Sequence, residues 1–540
     1  MSLTRNLRTP HRRFLLKIVL AAGLAATADF LFFAHDPGST LGLFALLWIL
    51  ALAIGTPAIV RKKRSILALC IATGFALALL DQPGLLAFLL FGTAIALARL
   101  MVRRRFDNAA LWAGRLALLG ITAPFTPLID LGRVLRLRGK GRMRRFATVI
   151  SVVALPLAGG ALFLALFADA NPVIADVLGR IQAPDIGWLI VHFFFWGIVL
   201  VGVWPIFRPL AMATRDFDPG VIEPLPVLNL PVITLILSLF TFNAVFALQN
   251  VLDILFLWSG APLPGDITLA DYAHRGAYVL IATALLAGLF VLVALRPGSA
   301  AARSGTVRAL LVLWTGQNIL LVASSILRTM DYVDAYGMTE LRLAALAWMG
   351  LVAVGLFLIS WRLMFGLSAR WLINANALAA ALVLSVSSVV DYRAVVAHWN
   401  VRHADIAGGS SFTDLCYLNQ LGASALVPLI DLETRVEDPK LRAQVRWLRY
   451  RALVRVIERQ QDWHSWTWRN DRRLRRAMAM LGNPATVSQP SDHNPYCDRT
   501  IYVSPTLPVP TVADESQPGG STASPPPVSE ERPLTEGSAQ

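Results

Sequence analysis

The sequence predicts an all-α protein, a polytopic transmembrane helical bundle of about eleven spans with a C-terminal soluble α-helical region and a disordered tail. Three observations predict this fold class. Hydrophobic residues make up 56% of the 540 positions and charged residues only 15%, with a mean hydropathy of +0.58. Apolar runs of roughly 20 residues, the length that crosses a bilayer, recur between short polar breaks. Most Lys and Arg residues lie in short segments beside these runs.

The first apolar run resembles a cleavable signal peptide, because it follows two arginines and carries small residues at 26–28. Its apolar character continues to Phe33, so a retained helix is the favoured interpretation. Residues 109–131 are ambiguous, since arginine, proline and aspartate interrupt their apolar character. The predicted spans lie near residues 14–33, 41–60, 65–80, 85–102, 147–168, 186–207, 231–258, 276–295, 308–327, 342–361 and 371–390.

Basic residues in short loops predict the orientation. Residues 61–64 and 103–105 are all Lys or Arg, whereas the loops 35–40 and 81–84 carry neither. We therefore expect the N-terminus in the cytoplasm and, after eleven crossings, the C-terminal region in the periplasm of a bacterial inner membrane. One miscounted span would reverse the second expectation. The Lys and Arg residues beside the spans explain the net charge of +15. We therefore expect the lipid bilayer as the partner and not a nucleic acid.

The three cysteines limit the possible disulfides. Cys70 lies inside an apolar run, while Cys416 and Cys497 both follow the last one. Any disulfide must therefore join Cys416 to Cys497. A periplasmic location of the C-terminal region would suit this bridge.

Composition divides the chain into five segments. After residue 400 the pattern is that of soluble helices, with an N-cap at Asp438, Pro439 in the first turn, and an apolar stripe that continues to Ile457. The predicted segments are an N-terminal four-span membrane group (1–102), a basic cytoplasmic interfacial segment (103–146), a seven-span membrane domain (147–390), a soluble helical region expected in the periplasm (391–483) and a Pro/Ser/Thr-rich disordered tail (484–540).

Polar residues inside spans are the candidate functional groups, because each is unfavourable in lipid unless it is paired or hydrated. One helical face of the seventh span carries three of them, and the ninth span carries a second set that includes a possible ion-pair partner for Asp253. Interhelical hydrogen bonds that only fix packing are the competing interpretation. Asp29 and His192 are isolated candidates for proton-coupled work. The candidate site residues are Asn243, Asn250, Asp253, Gln317, Asn318 and Arg328 in the spans, with His274 and Asp331 at an outer mouth.

The sequence contains no Walker A loop, no G-x-S-x-G elbow, no H-E-x-x-H and no Rossmann fingerprint. The acidic and histidine residues of the outer loops match no metal motif. We therefore expect neither a metal nor a cofactor. Catalytic activity stays open, and the sequence favours its absence.

Five short stretches together resemble a bacterial family of multi-span membrane proteins known as a domain of unknown function, of the 4173 or 4153 type. The resemblance covers roughly residues 200 to 480 and implies a membrane fold, but it implies no substrate, cofactor or catalytic residue. The stretches are DYAHRG at 271–276, LWTGQN at 313–318, YVDAYGMT at 332–339, LRLAA at 341–345 and WNV at 399–401.

Three functions are compatible with this sequence. A transporter or permease-like protein for a small solute or ion is slightly favoured by the span count and the polar faces. A membrane sensor or scaffold would bind a ligand or protein through the external helical region. A membrane-embedded enzyme acting on lipid ranks last. Oligomeric state is open.

Overall fold

The computed structural model describes residues 3–137, 186–210, 231–259, 304–404 and 414–482, and regular structure in these ranges is helical, with no β-strand. We number the α-helices in chain order. They are α1 (Leu3–Phe32), α2 (Thr40–Gly55), α3 (Lys63–Asp81), α4 (Leu85–Leu100), α5 (Ala109–Thr122), α6 (Phe125–Leu137), α7 (Ile186–Phe207), α8 (Val232–Asp253), α9 (Gly305–Tyr336), α10 (Glu340–Phe365), α11 (Ala369–Val389), α12 (Tyr392–Arg402), α13 (Leu415–Gln420), α14 (Leu426–Arg435), α15 (Pro439–Gln461) and α16 (Trp468–Leu481).

The all-helical fold is confirmed. Among the described residues, seven helices are long and apolar enough to cross a membrane, namely α1, α3 and α7 to α11. Helices α2 and α4 are apolar but shorter, and α5 and α6 form a pair bent by 64° that could be one broken span or a re-entrant segment. The predicted spans at 147–168 and 276–295 lie outside the described residues, so the count of eleven stays a prediction.

Helix α2 is shorter than the sequence predicted. We expected a span to residue 60, but the helix ends at Gly55. Pro57 explains the early end, because a proline disfavours the helical conformation of the residue before it. Thr56 accordingly has φ −142° and ψ 72°. At about 1.5 Å per residue, a helix of 16 residues is shorter than the hydrocarbon layer of about 30 Å.

Helix α9 is longer than predicted. It continues to Tyr336 and ends where Gly337 adopts φ 78°, a conformation that favours glycine. Asp331, which we expected in a loop, therefore lies in the final turns of this helix.

Two contacts show that α1 and α7 are antiparallel. In the middle of α1, Lys17 Nζ donates a hydrogen bond to the carbonyl oxygen of Phe207 at the end of α7 (3.0 Å). Near the end of α1, Asp29 Oδ1 lies 3.4 Å from His192 Nε2 in the first turns of α7. The sequence treated Asp29 and His192 as isolated, and the fold brings them together.

The bundle has two chemically different ends. The C-terminal end of α2 lies against the C-terminal end of α7, since a Cβ atom on Gly55 would lie 2.9 Å from the Phe207 ring. We call this the basic end, and we call the opposite end the docked end because the C-terminal helices bind there. The basic end carries residues 61–64 and 103–105, and the docked end carries residues 33–39, 82–84 and 390–391.

Large apolar side chains cover the outside of the spans. Phe193 of α7, Phe240 of α8 and Leu378 of α11 are each more than half exposed. Soluble monomers rarely expose contiguous apolar patches of this extent. Such a surface is compatible with hydrocarbon as the surrounding solvent.

The C-terminal helices have a core of their own. Asp438 caps α15 by accepting hydrogen bonds from the N–H groups of Lys440 (3.2 Å) and Leu441 (3.1 Å), as its position before Pro439 predicted. The apolar stripe of α15 is buried against α13 and α14. The buried residues of this core include Leu418, Leu426, Leu429, Val445, Leu448, Ala452 and Val456.

The close approach of α2 to α3 gives a first prediction. A Cβ atom on Gly42 would lie 2.3 Å from the backbone nitrogen of Leu80, so Gly42→Ala forces the two helices apart. Overpacking of this kind typically destabilises by about 1–3 kcal/mol. We expect a lower melting temperature for the detergent-purified variant. The control is Gly74→Ala in α3, where a Cβ atom would meet nothing within 4 Å. Equal melting temperatures for the two variants would contradict the close packing of α2 against α3.

Candidate functional site

Helices α8 and α9 run parallel and face each other with polar side chains. Asn243, Asn250 and Asp253 lie on one face of α8 because they are spaced by seven and three residues. All three are buried. We call this contact the polar seam; it consists of Asn243, Gln249, Asn250 and Asp253 of α8 with Gln317, Ser324 and Arg328 of α9.

In the first half of the polar seam, side-chain amides connect α8 to α9. Asn243 Nδ2 donates to the carbonyl oxygens of Leu239 (2.8 Å) and of Leu310 on α9 (3.1 Å). Gln317 Nε2 donates to Asn243 Oδ1, and Asn250 Nδ2 donates to the Gln317 carbonyl oxygen, each at 3.4 Å. These bonds join helices whose nearest covalent connection is more than 50 residues long.

At the end of the polar seam nearer the docked end, an ion pair connects α8 to α9. The Arg328 guanidinium binds Asp253 Oδ1, which also accepts a hydrogen bond from Gln249 Nε2 (2.9 Å). Asp253 is 1% exposed and Arg328 9%. Trp258 lies in a π-helical turn, Ile254–Trp258, that follows α8. Its Nε1 donates to Ser324 Oγ (3.2 Å), so this turn too is bound to α9.

Three oxygen atoms of the seam remain available as hydrogen-bond acceptors. Asn250 Oδ1, Asp253 Oδ2 and Gln317 Oε1 are buried and accept no hydrogen bond from the described residues. Leaving a buried polar atom unsatisfied costs about 1–3 kcal/mol. Chemically, such oxygens can accept hydrogen bonds from a polar solute or water, or contribute oxygen ligands to a cation.

The remaining candidate residues lie apart from this seam or outside the described residues. Asn318 is buried, but its Nδ2 donates to the Trp314 carbonyl oxygen of its own helix (2.8 Å). Asp331 is exposed, one turn beyond Arg328. His274 lies outside the described residues. No group of three or more metal-ligating side chains occurs within the described ranges.

The structure describes two of the three cysteines. Cys70 is a free thiol, and Cys416 is disulfide-bonded. Cys497 lies outside the described residues, so the predicted pairing stays a prediction.

Arginines of α16 hold the C-terminal helices against the docked end. Arg469 Nε donates to Asp81 Oδ2 at the end of α3 (2.8 Å), and its guanidinium also donates to the Val389 carbonyl oxygen at the end of α11 (2.7 Å). Arg473 binds Asp391. Burial lowers the pKa of Arg473 to about 10, an effect that Asp81 opposes, so this guanidinium stays charged at neutral pH.

Backbone contacts complete this attachment. The N–H of Ser39 donates to the Trp466 carbonyl oxygen (2.7 Å), and Ser39 Oγ accepts from the N–H of Trp468 (3.2 Å). A Cβ atom on Gly38 would lie 2.3 Å from the Trp466 oxygen, so only glycine fits there. The sequence analysis missed this attachment, because its partners lie about 390 to 430 residues apart and no local pattern connects them.

Three of the stretches that carry the family resemblance meet at the turn between α9 and α10. Asn400 Oδ1 accepts from the N–H of Met338 (2.7 Å), and its Nδ2 donates to the Met338 carbonyl oxygen (2.9 Å). Arg342 donates to the Gly337 carbonyl oxygen. These residues fix the turn that joins two spans to α12.

Apolar helices of membrane length, an apolar outer surface, and charges gathered at two ends and one seam define a multi-span membrane protein. The chain belongs to the family described as Domain of unknown function (DUF4153), whose model matches residues 66–432. The match confirms the suspected membership in a family of unknown function. It begins in α3, well before the region of clearest resemblance, and ends in α14. No curated protein and no solved structure matches the chain.

The buried ion pair gives a second prediction. Asp253→Ala leaves the Arg328 charge without its carboxylate, and breaking one side of a buried pair costs about 3–5 kcal/mol. Asp253→Leu combined with Arg328→Leu should recover most of this loss, because an apolar pair needs no counter-charge. Thermal unfolding of detergent-purified protein measures both.

A matched control is Arg393→Ala, which breaks the exposed pair with Glu340 (2.7 Å) and should cost at most about 1 kcal/mol. A double variant as unstable as Asp253→Ala would show that the pair does not determine the stability of the seam.

Proposed function

We propose that the protein is a permease-like carrier for a small polar solute or a cation, and that the polar seam forms part of its path. The observation that carries this proposal is the set of three buried acceptor oxygens on Asn250, Asp253 and Gln317, which accept no hydrogen bond from the part of the chain that the structure describes. Polar groups inside a bundle typically mark solute or ion pathways. Packing alone would favour a seam in which every acceptor is satisfied.

The chemistry of the seam favours one class of solute. Asp253 is paired with Arg328, so their charges balance. The groups that remain are acceptors, which bind hydroxyl, amine or ammonium donors and not anions. A small hydrogen-bond donor or a weakly hydrated cation is therefore the proposed cargo.

We also propose a bacterial inner-membrane location with the N-terminus in the cytoplasm and the C-terminal helices in the periplasm. Two observations support this orientation. The basic end carries the Lys and Arg residues at 61–64 and 103–105, as a cytoplasmic face does. The disulfide at Cys416 suits an oxidising compartment.

A membrane sensor or scaffold is the second candidate, and the attachment of α16 favours it. Arg469 contacts the ends of α3 and α11, and the turn before α16 contacts the loop between α1 and α2. A ligand or protein bound to the C-terminal helices would therefore act on several spans at once. A sensor would move no solute in the experiment that follows.

The third prediction concerns uptake. Proteoliposomes with the full chain should accumulate at least one solute from a panel of polyols, amines, ammonium and alkali cations. Asn250→Leu and Gln317→Leu, which each remove an acceptor of the seam, should lower the initial rate at least about tenfold, equivalent to about 1.4 kcal/mol.

Asn318→Leu is the matched control. Asn318 is as buried as Asn250 and adjacent to Gln317, but among the described residues its side chain bonds within its own helix. The uptake rate of Asn318→Leu should therefore stay within about twofold of wild type. An equal loss of uptake rate in all three variants would show that the polar seam is only a packing contact. Absence of uptake for every solute would favour the sensor.

A further inference from the structure

A cluster of positive charges lies at the basic end, where α1, α4 and α7 meet. Lys17 is its centre. Among the described residues, the charged groups with the largest effect on Lys17 are all positive: Arg99, Arg208, Arg103 and Arg13. Arg99 in turn has Arg103 as its charged neighbour. We call Lys17, Arg99 and Arg103 the basic-end cluster.

Arg99 is the most unusual member. It lies in the last turn of α4 and is only 7% exposed, although arginine is rarely buried without a partner. Its Nε atom is buried and donates no hydrogen bond. Within the part of the chain that the structure describes, no carboxylate pairs with it. A buried cation without a counter-charge is strongly unfavourable.

The neighbouring cation Arg208 is balanced, which separates it from the cluster. Its Nε lies 3.2 Å from Asp130 Oδ2, and the guanidinium carbon lies 4.7 Å from the centre of the Phe14 ring. Asp130 Oδ2 also accepts from Trp204 Nε1 (3.0 Å). This carboxylate is thus already bound by Arg208 and Trp204.

The positive-inside pattern accounts for only part of this charge. That pattern places Lys and Arg in short loops on the cytoplasmic side, where the side chains of Arg61, Lys62 and Lys63 are indeed exposed. It does not require a guanidinium to be buried between helices. Among the described residues, no carboxylate pairs with Arg99 or Lys17, and a bound anion would supply this negative charge.

We propose that the basic-end cluster binds a phosphate-bearing anion, with the headgroup of an anionic phospholipid as the favoured source. Guanidinium groups bind phosphate oxygens with two parallel hydrogen bonds, and an ammonium group adds a point charge. Basic pockets between spans at the cytoplasmic interface suit such headgroups. The exposed side chains of Leu15, Leu16 and Val19 beside Lys17 offer an apolar surface for the acyl chains.

The test uses the full chain purified in detergent and stripped of lipid. Phosphatidylglycerol should raise the melting temperature in a saturable way, and phosphatidylcholine, which has no net charge, should not. An inorganic phosphate arm identifies the source. A stabilisation by phosphate that competes with the lipid assigns the site to the free anion, whereas no effect of phosphate assigns it to the lipid. Both results support the cluster as a phosphate site.

Variants show where the anion binds. Arg99→Gln and, as a second variant, Lys17→Gln should weaken the apparent affinity for phosphatidylglycerol at least about fivefold. Arg61→Gln, which removes one exposed charge at the same end, should change it less than about twofold. Without lipid, Arg99→Gln should be at least as stable as wild type, because it removes repulsion; a purely structural arginine would give the opposite sign.

Two results would overturn the proposal. One is a melting temperature of the wild-type protein that neither phosphatidylglycerol nor phosphate changes. The other is an equal loss of affinity in Arg61→Gln and Arg99→Gln, which would show unspecific attraction to the whole basic end.

Discussion

The hydrocarbon layer offers no hydrogen-bond partners, and this constraint decides where the polar side chains of the bundle lie. Amides and an ion pair join α8 to α9 at membrane depth. Apolar side chains cover the outside of the same helices. The acceptor oxygens of the seam and the cations of the basic end are two of the places where the described residues satisfy this rule only partly.

The two ends of the bundle differ in how their charged side chains are paired. At the docked end, water is available, and arginines of α16 pair with Asp81 and Asp391. These pairs connect the C-terminal helices to spans that are far apart in sequence. At the basic end, the charges of Lys17 and Arg99 are not balanced by carboxylates of the described residues. The docked end thus binds the C-terminal helices, and the basic end offers a site for an anion.

Patterns of short range were predictable from the sequence. Apolar runs predicted each described span, and the spacing of Asn243, Asn250 and Asp253 predicted a common polar face, because both depend on residues a few positions apart. The early end of α2 could also have been predicted from Pro57. For the partner of this face, the sequence offered only a possible ion pair between Asp253 and the ninth span, since helical periodicity gives a face but not its partner.

Contacts of long range could not be predicted in this way. The pairing of Asp29 with His192 and of Arg469 with Asp81 joins residues that no local pattern relates. Burial of Arg99 was equally hidden, since the sequence shows an arginine at a helix end but not that the fold buries it.

The central claim is that the C-terminal helices lie at the end of the bundle opposite to the basic loops, outside the cytoplasm. Labelling of introduced cysteines with a membrane-impermeant maleimide tests it most directly, in a Cys70→Ser background whose residual signal sets the baseline. Asp36→Cys and Arg475→Cys at the docked end should react in spheroplasts, whereas Lys62→Cys and Arg105→Cys should react only after the inner membrane is opened. Arg475→Cys reacting together with Lys62→Cys would contradict the arrangement.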